Sequence, residues 1–267
     1  MPELPDLTVF AENLTASYKN ATILSVYVSA PKPLGAASAE AFQKALRGNT
    51  LLSVQRRGKQ LVFSFSNGSF LWIHLMLHGE IYPVAAGGET PRYACVTIHF
   101  QDKRALAVCD RTQWMKVALV DSPKAPPWAS SGIDPLWPDF TVQKLHELVS
   151  RQKRANIKTL LMNQRYIGGI GNAFSDEILW EAGILPLRIP SSLTAGEIQK
   201  LHAAIQQILK RAMNEIRRGI QGGFTGEIRD FLAIHGRKNA ACPRCQSPVQ
   251  FQLLGGRGTY FCTTCQT

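Results

Sequence analysis

Two Cys-x2-Cys pairs in the last thirty residues constrain this chain more than any other feature. Cys242 and Cys245 form the first pair and Cys262 and Cys265 the second, with sixteen residues between them. Each pair can set two thiolates on one tight turn, and a hairpin that joins the turns completes a tetrahedral donor set. Gly255-Gly256 lies between the pairs and predicts the hairpin turn. Four thiolates leave no open position for water or substrate, so the expected metal is one structural zinc ion. It replaces a hydrophobic core that so short a segment cannot build. The rival reading, two disulfides, needs an oxidising compartment. The opening Met1-Pro2-Glu3-Leu4-Pro5-Asp6 has neither a basic flank nor a long apolar run. No stretch looks apolar enough to cross a bilayer, so a cytoplasmic protein with reduced cysteines is expected. Cys95 and Cys109, far from the tail, read as buried small hydrophobes.

Charge narrows the partner. The 267 residues hold 30 Lys and Arg against 19 Asp and Glu, a net charge of +11. So basic a chain most often meets a polyanion, and nucleic acid is the commonest one. Charge alone separates neither DNA from RNA nor either from an anionic membrane. With 45% hydrophobic residues the chain can build real cores, and its length suits two domains.

The apolar pattern divides the chain. Leu4, Leu7, Phe10, Ala11, Leu14 and Tyr18 recur at helical spacing, and Pro2 and Pro5 suit a helix start. Residues 22–120 read mainly as short strands, among them Thr22–Ser29, Gln60–Phe65, Ser69–Leu75, Tyr93–Phe100 and Ala105–Val108, with a hairpin turn at Asn67-Gly68. That pattern predicts a sandwich or barrel. Five prolines between Asp121 and Pro138 mark a linker. Beyond it the period turns helical, over Val142–Ser150, Ile157–Met162, Ala173–Ala182, Ala195–Arg218 and Glu227–Ile234.

Two segments admit both a chemical and a plain reading. Ile167-Gly168-Gly169-Ile170-Gly171-Asn172 precedes a helix, with Asn172 as a plausible N-cap; such a helix start suits a phosphate. Upstream, Arg151, Lys153, Arg154, Lys158 and Arg165 occur with no acid among them, as in a backbone-contacting face. A dinucleotide site is disfavoured, because no strand precedes the glycines and no acid lies in Leu187–Ser192. At the N-terminus, loss of Met1 would leave Pro2 with a secondary amine that titrates near pH 8, so a useful fraction is a neutral nucleophile. Glu3 adjoins it and can shuttle protons, with Asp6 one turn on. Equally, Pro-Glu-Leu-Pro-Asp can simply begin a helix.

Together the segments resemble the formamidopyrimidine-DNA glycosylase and endonuclease VIII family, in order and over essentially the whole chain. The matching motifs are Pro2-Glu3-Leu4-Pro5, Arg56-Arg57-Gly58-Lys59, His74-Leu75 before Gly79, Asp134-Pro135-Leu136, Ile170-Gly171-Asn172 with Asp176-Glu177-Ile178-Leu179, Gly236-Arg237-Lys238, and the four cysteines with Arg257. The resemblance implies an α+β fold. Its parts are an N-terminal β-sandwich with a leading helix (1–121), a linker (122–138), a helix–two-turn–helix domain (139–236) and a zinc hairpin (237–267). It implies base excision from double-stranded DNA with abasic-site lyase activity, by a monomer and with no membrane partner. Pro2 then resembles the nucleophile, Glu3 the general acid/base, and Lys59 a second catalytic or phosphate-neutralising group, with Asp6 beside them. His74, Asn172 and Arg257 resemble phosphate clamps, and Lys158 belongs to the basic face.

The chain departs from the family pattern in three respects. Asp6 stands where Glu is usual. Leu77 replaces a methionine, and Gln113 and Trp114 replace an Arg-Phe pair, among the side chains that fill the gap left by an everted base. The stretch from Arg218 to Glu227 is short and glycine-rich where 8-oxoguanine specialists carry a longer cover. The lesion therefore stays open between ring-opened purines, oxidised pyrimidines and abasic sites. A non-catalytic lesion-binding protein of the same fold is the main alternative. A zinc-ribbon RNA-binding protein is another, but it leaves Pro2-Glu3 unexplained.

Overall fold

The computed structural model describes residues 1–120, 126, 129 and 132–267. The chain forms two compact units. The first comprises Met1–Pro2, Asp6–Ala129 and Ile216–Glu227; the second comprises Glu3–Pro5, Ser130–Glu215 and Ile228–Thr267.

The first unit holds most of helix α1 (Leu4–Tyr18), from Asp6 onward. Its strands are β1 (Ile23–Val28), β2 (Leu51–Arg57), β3 (Gln60–Phe65), β4 (Phe70–His74), β5 (Glu80–Val84), β6 (Ala94–Phe100), β7 (Ala105–Cys109) and β8 (Lys116–Val120), with helix α2 (Ala39–Leu46) between β1 and β2. They form two four-stranded sheets, ordered β1-β6-β7-β5 and β2-β3-β4-β8, with every pairing antiparallel. The inward faces meet in one core. Leu7, Phe10, Leu14 and Tyr18 of α1 join Ile23, Val26, Leu61, Phe63, Ile81 and Val96 from the strands. Burial of each such side chain contributes about 1.5–3 kcal/mol, which is why α1 is held despite its modest length. The expected sandwich is present, with its hairpin at Asn67-Gly68, where Gly68 has φ +82°. Helix α2 was not anticipated among the strands. Ser38 caps it by accepting the Ala41 N–H at 3.1 Å, and Phe42 and Leu46 join the core.

The second unit holds α3 (Val142–Ser150), α4 (Ile157–Met162), α5 (Asn172–Ala182), most of α6 (Ala195–Ile220) and the hairpin of β9 (Gln250–Leu254) and β10 (Arg257–Phe261). Thr141 and Asn156 cap α3 and α4 through their side-chain oxygens. Thr194 and Glu197 form a reciprocal capping box at α6. Phe174, Ile178, Leu201, Ile205 and Leu209 anchor the core. No helix among the described residues is long and apolar enough to cross a membrane. The linker expected at 122–138 falls partly outside the described residues. From Gly132 onward that segment is tied into the second unit, where Ile133 exchanges backbone hydrogen bonds with Tyr166 and Gly168.

The helix expected over Glu227–Ile234 is absent; the backbone there runs as turn and loop. The reason lies in the Glu177 carboxylate of α5. It accepts the N–H groups of Ala233, Ile234 and His235 at 2.8–2.9 Å, satisfying donors that a helix would otherwise have used.

Candidate active site and nucleic-acid interface

Within the first unit, Pro2 is buried and lines a cleft of about 490 Å3. Leu77, Glu80, Tyr82, Arg92 and Thr225 border the same cleft. Two chain segments shape it. The turn after β4 brings the Gly79 N–H to the Leu75 carbonyl at 2.8 Å, and a Cβ on Gly79 would lie 2.3 Å from that oxygen. Only glycine fits there, and the tight turn leaves Leu77 53% exposed. The second segment is the glycine-rich stretch after α6. Phe224 sinks into the core beside Tyr18, and the Asn13 side chain donates to the Gly223 carbonyl. Thr225, Gly226 and Glu227 are thereby carried to the cleft wall. The Met1 ammonium pairs with Glu227.

Asp6 is fully buried in the first turn of α1, and Lys59 is buried at the Gly58-Lys59 turn that joins β2 to β3. His74, at the end of β4, accepts the Met76 N–H on Nδ1 at 3.0 Å. Burial pushes its imidazole down to about 4, with the Lys59 and Lys116 charges adding to the shift. At neutral pH the ring is therefore uncharged, with its proton on Nε2 as a donor. A donor of that kind can hold a phosphate oxygen without adding charge.

Gln113 and Trp114 sit on the loop before β8, beside a second cavity of about 590 Å3 that Met76 and Lys116 also line. Asp110 builds this loop. One carboxylate oxygen accepts the Thr112 N–H and hydroxyl, and the other accepts the N–H groups of Trp114 and Met115, all at 2.7–2.8 Å. Burial alone would raise the Asp110 carboxyl, but these donors hold it below its ordinary value. Gln113 takes a left-handed φ of +55°, and Trp114 is 59% exposed.

In the second unit the glycine cluster serves a purpose other than the one expected. Gly171, rather than Asn172, is the N-cap of α5. The Glu3 carboxylate accepts the N–H groups of Gly171 and Ala173 at 2.6 and 3.0 Å, so a protein carboxylate takes the place foreseen for a phosphate. Gly169 has φ +97° and its carbonyl accepts the Leu4 N–H at 2.9 Å; a Cβ there would lie 2.7 Å from the Leu4 Cβ. The glycines let Glu3 and Leu4 lie against the start of α5. Asn172 donates its side-chain amide to the Gly258 carbonyl of β10.

Lys158 also departs from expectation. A backbone-contacting face would hold it at the surface, yet its side chain is 3% exposed. Its ammonium donates to Asp176 at 2.7 Å, to the Thr259 hydroxyl at 2.9 Å and to the Gly258 carbonyl at 3.2 Å, which occupies all three donors. Burial pulls this ammonium below its usual value while Asp176 opposes the shift. The second Asp176 oxygen meets His235 Nδ1 at 2.7 Å and the Tyr260 N–H at 3.2 Å. This network ties α4, α5 and the His235 turn to β10. Arg257, at the start of β10, is exposed and shares a pocket with Lys158 and Gln164.

The four tail cysteines converge as the spacing required. Their sulfurs all lie within 4.8 Å of one another, with Cys242–Cys265 at 3.9 Å and Cys245–Cys262 at 3.4 Å. A tetrahedron of thiolates at the usual zinc bond length has edges of about 3.8 Å, so the set could hold one metal ion. The turn between β9 and β10 falls at Gly255-Gly256, both with positive φ. Trp180, Ile234 and Val249 pack over the cluster. Cys95 and Cys109 are buried in the first unit.

Residues 1–117 match the family model of the formamidopyrimidine-DNA glycosylase N-terminal domain, and residues 131–222 match that of the formamidopyrimidine-DNA glycosylase H2TH domain. The chain belongs to the formamidopyrimidine-DNA glycosylase family. The formamidopyrimidine-DNA glycosylase of Exiguobacterium sibiricum is 34% identical over 273 residues, covering 100% of this chain and 99% of the relative. That of Shouchella clausii is 34% identical over 275 residues with the same coverage. Among solved structures, the Lactococcus lactis Fpg bound to DNA containing an abasic site superposes with a TM-score of 0.87 at 25% identity, over 99% of both chains. The same protein with Fapy-dG-containing DNA gives 0.88 at 26% identity, over 99% of this chain and 100% of that one.

Against the formamidopyrimidine-DNA glycosylase pattern, sequence reasoning passed over several residues that build the site. Asp110 had a legible signal, since an Asp two residues before Thr is a common Asx-turn opening. Glu80 and Tyr82 share one face of β5 by strand alternation, but nothing local marks a cleft above that face. The capping role of Glu3 had no signal at all, because its partners lie 168 and 170 residues away.

Proposed function

We propose that this protein removes damaged bases from double-stranded DNA and cleaves the resulting abasic site, with Pro2 as nucleophile. The observation that carries the reading is a proline at position 2, buried on the wall of a cleft large enough for a base. With Met1 removed, the neutral secondary amine attacks C1′ as the glycosidic bond breaks and the base departs with the electron pair. The sugar ring opens to an iminium ion, which acidifies the C2′ proton and permits loss of the 3′-phosphate. Glu3 is the proposed proton carrier, with Lys59 and Asp6 as supporting groups. A base buried in a duplex must be everted first. Leu77 and Trp114 are suited by exposure to fill the gap, with half-buried Gln113 beside Trp114 on the same loop; the neutral His74 ring, the Asn172 amide and the Arg257 guanidinium are suited to hold phosphates. Lys158 supports Arg257's strand in this reading and has no donor left for DNA. Cys242, Cys245, Cys262 and Cys265 would hold zinc, which supplies structure to the hairpin and no chemistry to the reaction.

Borohydride reduction tests the nucleophile. Wild-type protein, shown by intact mass to lack Met1, should give a covalent adduct with abasic-site DNA, and the same protein with its α-amine selectively acetylated should give none while remaining folded. Lack of any adduct from the trimmed wild type would leave a binding protein without chemistry.

A further inference from the structure

Glu80 and Tyr82 stand on the same cleft wall as Pro2, yet no step above uses them. They lie two residues apart on β5, the edge strand of its sheet, so both side chains leave the same face. Ile81 between them points into the core and is fully buried. Tyr82 pairs across the sheet with Ala107, whose small side chain leaves room for the ring. The Tyr82 hydroxyl donates to Glu80 Oε2 at 2.5 Å. That bond, with burial and the Glu80 charge adding to it and Thr225 opposing, pushes the phenol up to about 12. Its proton is therefore committed to Glu80, and what the pair offers outward is oxygen lone pairs. Arg92, on the same cleft, offers donors.

We propose that the Glu80–Tyr82 pair is a specificity determinant that reads the everted base by accepting its N–H groups. This rests on the glycosylase reading above. Ring-opened purines and 8-oxoguanine carry an N–H group where guanine presents the acceptor N7, while a ring-saturated pyrimidine keeps only the N3–H of its parent. An acceptor pair rewards the damaged form and sets lone pair against lone pair with an intact base. Arg92 then meets the carbonyl groups that flank such N–H sites. The substrate class is accordingly bases with lactam-like N–H and C=O edges. A site built to bond a polar group discriminates strongly against an analogue that lacks it.

The test compares two activities of one enzyme under single-turnover conditions. The first is excision from duplexes carrying a formamidopyrimidine, 8-oxoguanine or a ring-saturated pyrimidine. The second is strand cleavage at a preformed abasic site, which has no base to read. Tyr82→Phe keeps the ring but loses the oxygen, and Glu80→Gln keeps the shape but loses the charge. For each, the ratio of excision to abasic cleavage should fall about 10- to 100-fold on at least one lesion, the loss expected for one or two bonds to a charged acceptor. A ratio within twofold of wild type for both variants on every lesion overturns the proposal, as does an equal fall in both activities. Absence of a borohydride-trapped adduct from the wild type is a separate failure, of the Pro2 chemistry itself.

Discussion

Replacing Asp176 by asparagine removes one charge from a deeply buried ion pair. Lys158 and Asp176 are 3% and 0% exposed, so water cannot take over when the carboxylate is gone. The asparagine must also turn an N–H toward either Lys158 or the donors His235 and Tyr260, because one carbonyl oxygen cannot serve both sides. An uncompensated buried charge of this kind typically costs about 3–5 kcal/mol. Lys158→Met in the same chain removes the stranded ammonium. The asparagine N–H can then face the Thr259 hydroxyl and the Gly258 carbonyl, both former partners of Lys158. The double variant should therefore be more stable than the sum of the two single losses by about 2 kcal/mol or more, a coupling typical of residues in one network. Urea unfolding at low and at 0.5 M NaCl measures all four proteins. Salt should change the coupling little, since the pair is shielded from mobile ions. A loss below about 1 kcal/mol for Asp176→Asn, or a coupling that halves in salt, would show that solvent reaches the network and that the reasoning is wrong.

Two further outcomes follow from the site. The His74 ring should titrate at about 4 by NMR. Its folded value is depressed, so the stability it contributes is complete above the unfolded value near 6.5 and is lost as pH falls from there toward 4, up to about 3 kcal/mol before solvent screening reduces it; His74→Gln should flatten that part of the pH–stability curve, and an unchanged curve would refute it. The protein should carry one zinc ion by native mass spectrometry, and chelation should shift the fluorescence of Trp180, which packs on the cysteine cluster, and weaken DNA binding; full DNA affinity in folded, metal-free protein would contradict the structural role.

Legibility in the sequence followed the distance over which each feature is decided. β3 and the helices α3 and α4 coincide with the expected bounds, because their caps and alternation lie within a few residues. The cysteine cluster was equally plain, since its spacing is the geometry. The misread features are those settled from afar. Glu177 unmakes the expected helix at 227–234 from more than fifty residues away. Lys158 faces inward because Asp176, Gly258 and Thr259, at separations of 18, 100 and 101 residues, converge on it. A basic run gives the charge of a surface but not which member turns away from solvent. The left-handed residues Met76 and Gln113 were equally silent, since neither is a residue type that announces such a turn.

The four-donor grip of Asp110 separates the shape of its loop from the heads the loop displays. Backbone N–H groups and one threonine set the course of the chain, and neither Gln113 nor Trp114 lends a side chain to that scaffold. Such a mount lets evolution exchange its two heads at small cost to folding. Chains that differ at these two positions alone can thus keep one loop course under different tips.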